Sequence, residues 1–299
     1  MDRSKTDEKG SGLLDKGSLL DIVANWNGAF MPLLEVKVSV LDRAFLFGDS
    51  VYEVIRVYRG KLFRLHDHLD RLKNSMASLD IRFVDLDTID QRLHETVERS
   101  GLSEALLYLQ ITRGEAARTH HYPESYSPNV LIYAQPFDDP YASVRAAGAS
   151  AVTHRDIRWA RNDIKATSLA ANCMAAQFAR QQGAMEVIFI DADGYMTEGS
   201  HTSMFGIRNG KLLVAPSSSK VLPGITKRQV LELAKAISIP LEETKITEGE
   251  IYELNELFLA GTPEELISIV RVNDKRIGEG RPGPLVTKLH EAFRSSLST

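Results

Sequence analysis

Four tight-turn dipeptides constrain this chain before any other feature. Asn27-Gly28 in WNGAF, Arg59-Gly60 in YRGKLF, Asp193-Gly194 in DADGY and Asn209-Gly210 in RNGKLLV each stand between apolar runs. Such dipeptides accept the positive φ of a two-residue hairpin turn, so each predicts a β-hairpin. Helical patterns are interleaved with them. HDHLDRLKNSMASL sets Leu69, Leu72, Met76 and Leu79 on one face. TIDQRLHETVERSGL places Thr88 and Gln91 at capping-box spacing and meets a stop at Gly101. SLAANCMAAQFARQQG is Ala-rich up to Gly183, and PGITKRQVLELAKAI carries Pro223 just ahead of its first turn. Hairpins mixed with helices predict an α+β chain rather than a βαβ nucleotide binder. Neither GxGxxG nor GxxxxGK[ST] occurs in the sequence.

A chain of 299 residues exceeds one typical domain. The Pro- and Asp-rich stretch AQPFDDPYAS, Ala134 to Ser143, divides it nearly in half. The expected organisation is a polar, frayed tail over 1–20, a smaller domain over 21–135, a linker over 136–144 and a larger domain over 145–299. Net charge is −4 with Lys and Arg scattered, which argues against a nucleic-acid partner. No apolar run is long enough to cross a bilayer, and MDRSKTDEKGSG lacks the apolar stretch of a signal peptide. Cys173 is the single cysteine, so no intramolecular disulfide can form. These features predict a cytoplasmic protein without a membrane partner.

Three segments carry candidate chemistry. In RNDIKATSLAANC, Lys165 follows Ile164 at an apolar strand end and precedes a helix. Loss of solvation there favours the neutral, nucleophilic amine that Schiff-base chemistry requires. In GYMTEGSHTSMFGI, Glu198 stands among Thr197, Gly199, Ser200 and Thr202, a setting that suits a carboxylate facing a pyridine nitrogen. In LPGITKRQV a glycine turn runs into a helix start, whose Ile225 and Thr226 N–H groups suit a phosphate. FLAGTPEE offers a second small turn at Gly261 and Thr262, and Arg71 could add a bidentate contact. Each has a plainer reading taken singly: a surface lysine, an ordinary strand end, a water-capped helix, a solvated arginine.

Together, DRAFLFGDSVYEVIRVYRGKLFRLHDHLDRL, DIRWARNDIK, TEGSHTSMFGI, LPGIT and ELFLAGT resemble the fold-type IV, pyridoxal-phosphate-dependent aminotransferases. The five motifs stand in family order from about Trp26 to the end of the chain. The resemblance implies a two-domain fold, with a small N-terminal α/β domain and a larger C-terminal pseudo-barrel domain. It implies pyridoxal 5′-phosphate as cofactor, no metal, and a homodimer. Lys165 matches the lysine that binds the cofactor covalently and shuttles the substrate proton. Glu198 matches the carboxylate on the pyridine nitrogen. Arg71, Ile225, Thr226 and Thr262 match the phosphate cup, with Ser200 also at the cofactor. Tyr52 and Glu53 match a Tyr-Glu pair on the active-site strand, the tyrosine facing substrate, and Val54 matches a small apolar pocket position.

The loop GEAARTHHYPESYSP narrows the choice within the family. Arg118-Thr119-His120 resembles the Arg-x-His element with which D-amino-acid aminotransferases bind the substrate α-carboxylate, the loop arriving from the other subunit. The branch so implied transfers the amino group of D-alanine or D-glutamate to 2-oxo acids such as 2-oxoglutarate or pyruvate. Branched-chain or (R)-amine aminotransferases and aminodeoxychorismate lyase are the alternatives. The branched-chain enzymes carry an arginine where this chain has Gln110 and a tyrosine where it has Ala170, whereas Arg56 matches an arginine of theirs.

Overall fold

A computed structural model describes residues 21–297; the frayed tail expected over 1–20 lies outside the described residues. The first sheet is built from β1 (Val23–Trp26), β2 (Ala29–Pro32), β3 (Ser50–Tyr58), β4 (Lys61–Leu62), β5 (Ala105–Thr112) and β6 (Val130–Pro136). Its order is β2-β1-β6-β5-β3-β4, antiparallel throughout. Two of the expected hairpins close it: Trp26 pairs Ala29 across Asn27-Gly28, and Tyr58 pairs Lys61 across Arg59-Gly60.

A short helix, α1 (Arg43–Phe47), leads into β3, and α2 (Leu65–Ser78) and α3 (Leu86–Ser100) pack on one face of this sheet. Period-2 alternation sends Val51, Ile55, Leu107, Leu109 and Ile111 to that face, where they meet Leu72, Met76, Ile89 and Leu93. Full burial of Leu72 or Leu93 contributes about 2 kcal/mol of transfer free energy each. The opposite face carries Tyr52, Val54 and Arg56 on β3, paired with Gln110, Tyr108 and Leu106 on β5. The helix α3 starts earlier than its Thr88/Gln91 spacing predicts. Its cap is Asp85, whose carboxylate accepts the N–H groups of Asp87 and Thr88 and the Thr88 hydroxyl. An aspartate cap reaches two N–H groups at once, so it overrides the later capping box.

The stretch expected as a linker is partly regular: its first residues end β6, and α4 (Ala142–Ala147) begins within it. The second sheet contains β7 (Ala149–Arg155), β8 (Glu186–Ile190), β9 (Ser203–Arg208), β10 (Lys211–Val214), β11 (Leu241–Glu243), β12 (Glu256–Gly261), β13 (Glu265–Val272) and β14 (Lys275–Arg276). Its order is β11-β10-β9-β12-β13-β7-β8, with β14 on β13. Parallel pairs at β10/β11, β13/β7 and β7/β8 interrupt the antiparallel pattern. Three helices cover it: α5 (Ala170–Gln181) lies on β8, while α6 (Ile225–Ala236) and α7 (Pro284–Ser296) lie over β12 and β13. No helix among the described residues is long and apolar enough to cross a membrane.

Candidate active site

A cavity of about 330 Å³ opens between β3, the segment before α5, the turn after β12 and the start of α6. Tyr52, Val54, Arg71, Lys165, Glu198, Ser200, Ile225, Thr226 and Thr262, all singled out from sequence, line it. That volume suits a cofactor-sized molecule.

Lys165 does not leave a strand end as expected. It sits in an irregular segment that runs beside the start of β3: Ala166 bridges Val51, the Tyr52 N–H donates to the Lys165 carbonyl at 3.1 Å, and the Thr167 N–H donates to the Ser50 carbonyl at 3.1 Å. The Lys165 N–H donates to the Ser75 hydroxyl at 3.2 Å. With the backbone pinned on both sides, the side chain reaches the cavity and its Nζ lies 4.3 Å from the Tyr52 ring centroid, a cation–π distance.

Glu198 is buried in the floor. Arg158 Nη1 donates to its Oε1, and the Leu222 N–H donates to its Oε2 at 2.9 Å. Arg158 is itself held by Asp156, whose Oδ2 lies 2.7 Å from Nη2. Burial raises the Glu198 pKa; the Arg158 charge and the Leu222 N–H oppose that rise without cancelling it. A carboxylate of raised proton affinity is a strong acceptor for a protonated ring nitrogen.

The anion end is assembled from three elements. Arg71 on α2 is buried, yet its charge is matched: Nε and Nη2 donate to the two oxygens of Glu53 at 2.8 and 2.6 Å. Its Nη1 donates to the Pro223 carbonyl at 3.1 Å, leaving donors of its fork free for an anion. Glu53 therefore points to the helix side of β3, opposite Tyr52, and serves Arg71. Burial would raise its pKa, but Arg71 and His68 outweigh that and lower it to about 2. Burial lowers the His68 pKa, and a neutral ring donates from Nδ1 to Glu53 at 2.7 Å. No side chain caps α6, so the first-turn N–H groups of Ile225 and Thr226 remain for an anion. The turn is held close: a Cβ on Gly224 would lie 2.8 Å from Ser203 Oγ. An amine, a buried carboxylate at one end and an uncapped helix start with a paired arginine at the other fit pyridoxal phosphate in charge and in chemistry.

Arg118 and His120 do not join this cavity. Both are exposed and rest against Phe47, Arg118 Cζ at 5.2 Å from its ring and the His120 ring at 5.7 Å. Arg56 does not line it either. Its buried guanidinium binds Glu104 and the Val57 and Ala105 carbonyls and stacks over Phe137 at 4.2 Å. Sequence reasoning assigned no role to Arg158, Glu186, His201 or Glu264. Arg158 had one legible signal, an arginine two residues from an acid ahead of the lysine; the others become neighbours only through folding.

Fold and cavity together define a class IV aminotransferase. A family model described as amino-transferase class IV matches residues 50–272, and the chain belongs to that family. It is similar to D-alanine aminotransferase of Bacillus licheniformis, 36% identical over 274 residues that cover 91% of this chain and 96% of the relative. It is 31% identical to D-alanine aminotransferase of Staphylococcus aureus over 276 residues, 91% of this chain and 97% of that one. Among solved structures it is similar to the branched-chain amino acid aminotransferase of Escherichia coli, with a TM-score of 0.86 at 26% identity, covering 91% of this chain and 93% of that one. It is similar also to the T.th. branched-chain amino acid aminotransferase with pyridoxamine 5′-phosphate, with a TM-score of 0.85 at 27% identity, covering 92% and 93%.

Proposed function

We propose that the chain is a homodimeric, cytoplasmic D-amino-acid aminotransferase that passes the amino group of D-alanine or D-glutamate to 2-oxo acids such as pyruvate or 2-oxoglutarate. The observation that carries this reading is the convergence of Lys165, Glu198 and the Arg71–Ile225–Thr226–Thr262 cup on one cavity that Tyr52 and Val54 also line. Sequence similarity to D-alanine aminotransferases over most of the chain supports the same branch.

Pyridoxal phosphate bound here supplies an aldehyde carbon and an electron-accepting ring. Arg71, the Ile225 and Thr226 N–H groups and the Thr262 turn would hold the phosphate, Ser200 lies at the wall, and Glu198 would keep a proton on the ring nitrogen. Fixing both ends would present a defined face to Lys165. Lys165 Nζ would take the proton from the substrate Cα and deliver it to the cofactor carbon that carries the nitrogen, with Ser75 and the β3 backbone setting its approach. The donor leaves as a 2-oxo acid, and a second 2-oxo acid takes up the amino group.

The α-carboxylate falls to Arg118 and His120 of the partner subunit, with Tyr52 as third partner. Their distance from the cavity of their own chain supports a role in trans. So does the apolar stretch beside them: Leu34, Val38, Val40, Leu41 and Phe45 are half or more exposed. The loop is tied to that stretch, for Arg43 N–H donates to the Gly114 carbonyl and Ala116 N–H to the Leu41 carbonyl. Arg56 is held by Glu104 and the Val57 and Ala105 carbonyls and does not line the cavity, which does not favour a branched-chain carboxylate site there.

Half-reactions with D-alanine, L-leucine, (R)-phenylethylamine and aminodeoxychorismate test the reading. Fastest loss of the holoenzyme visible band with D-alanine is expected. Faster loss with L-leucine moves the protein to the branched-chain branch, and pyruvate release from aminodeoxychorismate moves it to the lyases.

A further inference from the structure

Behind the cavity wall lie two buried carboxylates with a single imidazole between them. Glu186 on β8 and Glu264 ahead of β13 are each about 1% exposed. His201 Nδ1 donates to Ser200 Oγ at 2.8 Å and lies 3.3 Å from Glu186 Oε2 at ion-pair distance, and Nε2 is 3.3 Å from Glu264 Oε1. Glu186 gathers the loop after Glu198: the Ser200 N–H donates at 3.0 Å, the Ser200 hydroxyl at 2.6 Å and the Thr202 hydroxyl at 2.9 Å. Glu264 sits under the Thr262 turn, with the Tyr141 hydroxyl 3.3 Å from Oε1, while its Oε2 is buried without a hydrogen-bond partner among the described residues.

The two glycines of these loops fix the arrangement. A Cβ on Gly199 would lie 2.8 Å from Glu186 Oε2, and a Cβ on Gly261 would lie 2.0 Å from Glu264 Oε2. Each carboxylate thus lies directly against the backbone of a cavity-lining turn, one beside Glu198 and the other beside Thr262. His201 is the side chain that joins them, and it faces the cavity as well.

Resting on the cofactor reading above, we propose that His201 is a positioning residue: by bridging Glu186 and Glu264 it locks the Glu198 loop to the Thr262 turn and sets the span between the ring-nitrogen and phosphate ends of the site. Burial of the ring opposes protonation, as does the Lys165 charge. The Glu186 and Glu264 carboxylates outweigh both and hold its pKa up at about 9. Near neutrality the bridge is an imidazolium between two carboxylates, and without it two buried negative charges are left facing a site that takes an anion.

The test is the binding of pyridoxal phosphate, and separately of pyridoxal, to apoenzyme of wild type, His201→Gln and Glu264→Gln across pH 6–10. In His201→Gln the Kd for pyridoxal phosphate is expected to rise roughly tenfold near neutrality, the scale of one charged hydrogen bond. Pyridoxal, which lacks the phosphate, is expected to lose little. The ratio of the two Kd values for pyridoxal phosphate is expected to fall toward one as pH rises through the His201 pKa, since wild type then loses the same charge. Glu264→Gln keeps the histidine but removes one of the two carboxylates that hold its proton, so the pH at which pyridoxal phosphate affinity weakens is expected to fall below that of wild type; this comparison with wild type alone provides a second route if His201→Gln folds poorly. Equal affinity of wild type and His201→Gln at neutral pH, an equal loss for pyridoxal, or a ratio independent of pH overturns the proposal. A wild-type protein that binds pyridoxal phosphate no better than pyridoxal overturns the cofactor reading instead.

Discussion

Glu53 grips Arg71 with both carboxylate oxygens, at 2.8 and 2.6 Å, and receives His68 Nδ1 at 2.7 Å, all three side chains being buried. Because the folded-state pKa of Glu53 is depressed to about 2, its stabilisation is complete above its unfolded value, near 4.5, and is lost as pH falls from there toward 2. The contribution at neutral pH is about 3 kcal/mol on linkage grounds. Glu53→Gln is expected to lower the melting temperature at pH 7 and to flatten its fall between pH 5 and 3. A slope equal to that of wild type in thermal scans would falsify this assignment.

Lys165→Ala removes the amine but leaves the anion cup intact. The variant is expected to bind pyridoxal phosphate without the visible band of the lysine-linked form. Its transamination rate is expected to fall by about 10³-fold or more. Absorbance spectra and D-alanine/2-oxoglutarate turnover provide the check.

Arg118→Leu is expected to raise the KM for D-alanine and pyruvate about 10- to 100-fold, the cost of losing a charge-assisted bidentate contact. The decisive measurement mixes subunits. A dimer of Lys165→Ala and Arg118→Leu chains contains one complete site if the loop acts in trans, and none if it acts in cis. Recovery of activity on co-expression of two inactive or impaired chains therefore reads the geometry directly.

Arg56→Ala separates a structural arginine from a substrate-binding one. Loss of the Glu104 pair and of two carbonyl contacts is expected to cost about 2 kcal/mol of stability. The KM for D-alanine is expected to stay within about twofold, because Arg56 lies outside the cavity. A large KM change with an unaltered melting temperature contradicts that separation.

Local features were legible wherever short-range physics decides them. Asn27-Gly28, Arg59-Gly60 and Asn209-Gly210 closed hairpins as their turn chemistry demands, and Leu72 and Met76 met the core on the face their spacing defines. The cap of α3 was displaced to Asp85 because its carboxylate takes the Asp87 and Thr88 N–H groups one turn earlier and the Thr88 hydroxyl with them. Lys165, Glu198, Thr226 and Thr262 could be listed as candidates because each sits in a distinctive local setting of small or apolar neighbours.

What the chain alone determined, then, is the menu of hairpins and amphipathic helices and the chemical types available to a site. These follow from φ preferences and periodicity within a few residues. Tertiary structure decided which charges meet. Glu53 faces Arg71 rather than substrate because period-2 alternation turns it away from Tyr52, and α2 delivers the arginine from the far side. Arg158 reaches Glu198 across 40 positions, and Glu186 and Glu264 close on His201 from a strand and from a turn far along the chain. Such pairings depend on register and loop closure over long separations, which no stretch of a few residues specifies.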